Sequence, residues 1–135
     1  MTTIELNGAE DVAWDLSDLY SGLDDPRIDG DLTQAEADAD AFRARYHGNV
    51  AGLSASELAA AIAEHERIES SVTRTAYFAH LLFATNMGDP TRGALVARVQ
   101  ERAATLDTQL LFFALEWAAL DDEAHLARTV ELNRA

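Results

Sequence analysis

The five residues "NMGDP", 86 to 90, stand between two long apolar runs and decide the fold. Gly88 can take the left-handed conformation that ends a helix. Asp89 can cap the next helix, and Pro90 suits its first turn, where a backbone N–H has no partner anyway. The stretch predicts two helices folded back on each other. Before it, "TAYFAHLLFAT" (75–85) is apolar almost all round, which predicts burial on several sides. After it, Val96, Val99, Ala103, Leu106, Leu110, Phe113, Trp117 and Leu120 recur at alternating steps of three and four. Such a seam is made to lie along another helix.

Working outward, "SASE" (54–57) has capping-box spacing and opens the first of the paired helices. The hairpin is expected over about 55–87 and 90–120. The apolar seam of its first arm reads Leu58, Ile62, His65, Val72, Ala76, Ala79 and Phe83. "TQAE" has the same box spacing from Thr33 to Glu36 and predicts a preceding helix over about 33–47. Leu32, Ala35, Ala39, Phe42 and Tyr46 share one of its faces, and Gly48 stops it. Residues 1–30 read as an irregular lead-in, with Pro26 and Gly30 in turn chemistry and Trp14, Leu16, Leu19 and Tyr20 as anchors. "DDE" at 121–123 caps a fourth helix that is still running at the last residue. The expected fold is all-α, with an irregular 1–30 and a helical domain over 31–135.

A first arm of about 32 residues spans roughly 48 Å. A compact chain of this length is only roughly 37 Å across. The hairpin therefore outruns its own globule, and its apolar flanks are expected to need more protein, either a second copy or a missing remainder.

Composition narrows the partners. The chain carries 24 acidic residues against 10 arginines and no lysine, for a net charge of −14. A field of that sign repels nucleic acid and anionic membrane, so neither is expected as a partner. The absence of cysteine excludes disulfides, thiol catalysis and Cys–zinc sites. "MTTIELNGAED" lacks a basic segment followed by an apolar one, and no apolar run approaches a membrane span. A cytoplasmic protein is expected.

The stretch "AEHERIES" (63–70) comes closest to catalytic chemistry. In HExxH two histidines one helical turn apart bind zinc, and the glutamate activates the metal-bound water. Here Glu69 stands where the second histidine would be, and His80 lies roughly 22 Å further along the same helix. His65 reads instead as a seam residue that is solvated or paired with an acid. Counting outward from the turn places it opposite Phe112 and within about one helical turn of Glu116. Glu116, between Phe113 and Trp117, could have a raised pKa and act as an acid or base. No nucleophile, second acid pair or phosphate loop accompanies it. A structural role with His65, Arg67 or Arg74 is the favoured reading. Tyr77, Phe78, Phe112 and Phe113 read as core, with an aromatic peptide-binding groove as the alternative.

Together these residues resemble a family. "WDLSDLY" (14–20), "DPRIDGDL…A…AFRARYHGNV" (25–50), "YFAHLLFATNMGDP" (77–90) and "LLFFALEWAALDD" (110–122) look like the start of oligoendopeptidase F-type zinc peptidases, which belong with the thimet-oligopeptidase-like enzymes. The resemblance covers essentially the whole chain. Members are several times longer, and their HExxH and third zinc ligand lie in the C-terminal half. The resemblance implies a helical, non-catalytic N-terminal segment that forms one wall of a channel for short peptides. Its zinc would sit in the parent's catalytic domain and none in this chain, so no catalytic or zinc-binding residue carries over. The implied partners are that catalytic domain and, in the intact protein, oligopeptide substrate, with a homodimer expected for the segment alone. The rival reading is a stand-alone helical interaction or dimerisation module without enzymatic activity.

Overall fold

A computed structural model describes residues 15–134, so Trp14 and the "MTTIELNGAED" stretch lie outside the described residues. The protein is all-α. Among the described residues four helices follow in order: α1 (Pro26–Tyr46), α2 (Ala55–Thr85), α3 (Pro90–Ala118) and α4 (Asp122–Arg134), with a 3₁₀ turn at Val50–Gly52 between the first two. The expected hairpin is α2 and α3.

Local chemistry sets the helix ends. Ser54 and Glu57 form a reciprocal capping box: the Glu57 N–H donates to Ser54 Oγ at 3.2 Å, and the Ser54 N–H donates to the Glu57 carboxylate at 2.8 Å. At the hairpin turn Asp89 accepts from the Thr91 N–H at 2.9 Å, and Pro90 opens α3. Gly88 is not left-handed. Asn86 breaks the helix instead, with an extended φ of −158°, and the Asp89 N–H closes the turn on the Asn86 carbonyl at 3.2 Å. Among the described residues the left-handed glycine is Gly48, at φ +80°, where it stops α1 as expected.

The lead-in is shorter than the sequence suggests. Helix α1 begins at Pro26, not at Thr33. Pro26 is the first helical residue and Asp25 the cap, accepting the Arg27 N–H at 2.9 Å and the Ser21 N–H at 2.8 Å. Gly30 inside the helix costs about 1 kcal/mol relative to alanine. Burial of Ile28 and Leu32, at 1% and 0% exposure, offsets it. The Thr33–Glu36 pair lies inside the helix, where both side chains bind Arg102 from α3, Thr33 at 3.0 Å and Glu36 at 2.7 Å.

Helix α1 lies antiparallel to α2 and parallel to α3, covering one groove of the hairpin. A ladder of polar contacts fixes this register: Arg98–Asp29 at 3.5 Å, Arg102–Glu36 at 2.7 Å and Gln109–Asp40 at 2.8 Å. The result is a three-helix bundle, and the third helix moves the seams. On α2 the buried line is Leu58, Ala61, Ile68, Val72, Thr75 and Ala79, with half-buried His65 completing the three–four rhythm. Of the expected seam, Ile62, Ala76 and Phe83 are only partly buried. On α3, Leu95 and Phe112 are buried beside Val99, Leu106 and Leu110 because α1 closes their face. Tyr20 is the working anchor of the lead-in, at 2% exposure, with its ring edge-on to Phe78 at 5.0 Å. Among the described residues no helix is long and apolar enough to cross a membrane.

Candidate interaction surface

The expected His65–Glu116 pair does not form. Glu116 turns toward the connection after α1, accepting the Gly48 N–H at 2.9 Å and the Val50 N–H at 3.4 Å. These amides follow the end of α1 and have no intrahelical acceptor, so the carboxylate ties that connection to α3. His65 meets the acid one turn ahead, with Nδ1 3.4 Å from Glu69. Its ring lies between Phe113, centroids 5.5 Å apart, and Phe42, at 5.7 Å. Arg67 and Arg74, the other proposed partners of Glu116, serve different elements. Arg67 pairs with Asp38 of α1 at 3.1 Å, and Arg74 donates to the Leu19 carbonyl at 3.2 Å while lying over the Tyr20 ring.

The four aromatics separate. Phe78 and Phe112 are core, at 1% and 7% exposure, and Phe113 is partly buried against Phe42. Tyr77 is 64% exposed, so the four rings build no common groove. The histidines are scattered as well: His47 packs on Phe112, His80 approaches Gln100, and His125 lies against Trp117. Among the described residues no three His, Asp or Glu side chains are grouped to hold a metal ion.

What the geometry does assemble is a surface. Helix α1 fills one groove of the hairpin, and the opposite groove is open. Its middle is lined by Glu69, Thr73, Ala76, Ala103, Asp107 and Leu110, and no residue of α1 contributes. The hollow continues toward the α4 end past His65, Leu111 and Ala114. Alongside, it shares Glu69 and Thr73 with a neighbouring hollow lined by Glu66, Arg74, Tyr77, Leu81 and Leu19. Leu111 and Leu115, one turn apart on α3, are 53% and 60% exposed. Small side chains at Thr73, Ala76 and Ala103 keep the floor low enough for another helix to approach closely.

Charge is distributed unevenly about the bundle. Among the described residues, five arginine–carboxylate contacts join α1 to the hairpin: Arg45–Glu64, Arg67–Asp38, Arg98–Asp29, Arg102–Asp29 and Arg102–Glu36. The Arg102 side chain holds the Glu36 carboxyl below its usual range, against the opposing effect of partial burial. Among the described residues, no arginine forms an ion pair with Glu66, Glu69 or Asp107 around the open groove.

Two residues that matter here are not marked by the apolar pattern. Thr75 is fully buried at a seam position, and its hydroxyl shares a 2.8 Å hydrogen bond with Tyr20. Arg102 is the hub of the α1–α3 contact. The three–four count that placed the rest of the seam also fits Thr75, which a purely apolar count passes over. Comparison with protein families, curated proteins and solved structures finds no match.

Proposed function

We propose that this chain is the helical, non-catalytic N-terminal part of a cytoplasmic zinc-dependent oligoendopeptidase, forming one wall of the channel that admits short peptides. The reading rests on the ordered motifs from "WDLSDLY" to "LLFFALEWAALDD". The observation that carries it is the hairpin groove left open opposite α1, flanked by exposed Leu111, Leu115 and Tyr77. An isolated module with a wholly polar exterior has no use for that groove; a wall segment that must pack on a larger body does. In the parent, zinc in the catalytic domain would polarise the scissile carbonyl and activate water for attack on an internal peptide bond. This chain would contribute shape and support.

The test compares two proteins on a quenched fluorescent oligopeptide. The 135-residue chain alone is expected to show no chelator-sensitive cleavage. The protein from the complete reading frame is expected to contain an HExxH beyond this segment and to cleave in a zinc-dependent way. Cleavage by the short chain, or a complete frame without that motif, overturns the reading.

A further inference from the structure

We infer that the open groove between α2 and α3 takes a basic amphipathic helix, which completes a four-helix arrangement by lying along the hairpin opposite α1.

The groove sets the size and shape of the occupant. From His65 to Ala76 on α2, and from Ala103 to Ala114 on α3, the lining covers eleven residue steps on each arm. That corresponds to roughly 16 Å, or about three helical turns. A helix of that length presents apolar residues at i, i+3 or i+4, and i+7, which is the pattern a groove between two helices reads. Thr73, Ala76 and Ala103 leave room in the middle, while Leu110 and Leu111 offer apolar contact toward one end.

Charge sets its sign. Glu69 and Asp107 line the groove, and Glu66 borders the neighbouring hollow. Of the arginines at these levels, Arg67 and Arg102 are engaged with Asp38 and Glu36 on the α1 side, and Arg74, which lines the neighbouring hollow, donates to the Leu19 carbonyl and lies over the Tyr20 ring. His65 Nδ1 lies 3.4 Å from Glu69. An apolar floor between carboxylates that lack arginine partners matches a helix with an apolar stripe bordered by arginine or lysine. A second copy matches poorly, since it would bring the same carboxylates against each other. The occupant's chemistry is the same whether it belongs to the same polypeptide or to another, so the experiment below reads binding and not peptide cleavage. Its failure is thus distinguishable from failure of the peptidase reading.

The probe is a synthetic helical peptide of about four turns, with leucines spaced to form one stripe and arginines beside it. Three comparisons accompany it: the same stripe flanked by glutamates, the same arginines with the leucines replaced by serine, and the chain alone by light scattering. Affinity is measured by calorimetry at low and moderate salt. The arginine-flanked peptide is expected to bind about tenfold or more tightly than either control, and less tightly as salt rises. Glu69→Arg and Asp107→Arg should each weaken it by about tenfold, whereas Glu101→Arg, an equal charge change away from the groove, should not. Circular dichroism of each variant confirms that the exposed substitutions leave the helices intact. The proposal is overturned if the serine control binds as well as the leucine peptide, because attraction would then be to net charge alone. It is equally overturned if Glu69→Arg and Glu101→Arg act alike, or if the chain is a stable dimer that Glu69→Arg dissociates.

Discussion

Glu116 occupies an apolar run, yet it is its hydrogen bonds to Gly48 and Val50 that give it a role. One carboxylate satisfies two amides in the connection after α1, and it does so across the whole length of α2. Replacing it with alanine leaves those amides to solvent, and we expect a loss of about 1.5 kcal/mol, the lower end of the range for bonds to a charged acceptor because the site is partly hydrated. Amide exchange at Gly48 and Val50 should quicken in Glu116→Ala; unchanged exchange there would show that the carboxylate holds nothing. Tyr20 is the other residue whose role is specific. Its hydroxyl donates to Asp31 at 2.5 Å and shares a bond with Thr75, while burial, first, and the Asp31 contact, second, push its pKa above the ordinary tyrosine value. A phenol with a raised folded-state pKa holds its proton longer when folded. Its contribution is therefore complete below the unfolded value of about 10 and is lost as pH climbs through the folded one. Denaturant midpoints should accordingly decline above about pH 10, and Tyr20→Phe should flatten that decline while costing about 1 kcal/mol at neutral pH. An identical alkaline slope in both proteins would remove Tyr20 from the explanation.

At the scale of elements, α1 turns a paired rod into a bundle, and Phe42 is its central contact. The ring meets Tyr46, His65, Phe112 and Phe113 at centroid separations of 4.8, 5.7, 5.7 and 5.5 Å, so it joins all three long helices. Phe42→Ala should cost about 3–5 kcal/mol, since α1 cannot collapse onto the hairpin without breaking the Arg102 and Arg67 contacts. Leu115→Ala, at a largely exposed site, should stay within about 0.5 kcal/mol of the parent. Equal losses in equilibrium unfolding would mean that α1 is not docked as described. The paired helices were legible because their signals are local: a capping box at Ser54, a cap and proline at Asp89–Pro90, and a regular three–four seam between them. The start of α1 differs from the expected one because Thr33–Glu36 copies a capping box in spacing alone; Asp25 and Pro26 provide the actual cap upstream, and the copied pair is used laterally by Arg102. The seams shifted by a residue or so because apolar periodicity reports that a face is buried without saying how many neighbours share it. Glu116 stands out as an acid in an apolar run, but its partners are backbone amides 66 and 68 residues away, which leave no mark in the side-chain sequence. The open groove could not be read at all, because it is defined by where α1 is not.

For the whole molecule, the decisive quantity is the imbalance between 24 acids and 10 arginines. Among the described residues, the arginine–carboxylate contacts that join different helices lie between α1 and the hairpin, where they fix register. That leaves much of the remaining surface negative, and compaction brings those charges together. Two salt effects then oppose each other. Screening weakens the ion pairs that tie α1 down, but these are contacts of 2.7–3.5 Å, far shorter than the Debye length, and largely exposed pairs that contribute little each. Screening also relieves repulsion among carboxylates spread over the surface, and these act over distances comparable with the Debye length. Raising ionic strength from about 0.01 M to about 0.1 M shortens that length from about 30 Å to about 10 Å, a range that changes the diffuse repulsion far more than a contact pair. At neutral pH the thermal midpoint should therefore rise over this interval, by a larger amount for the parent chain than for a variant in which Glu69 and Asp107 are both neutralised to glutamine and asparagine. A midpoint that falls with salt would mean that the α1 ion pairs, and not the excess of acid, dominate the electrostatics of the bundle.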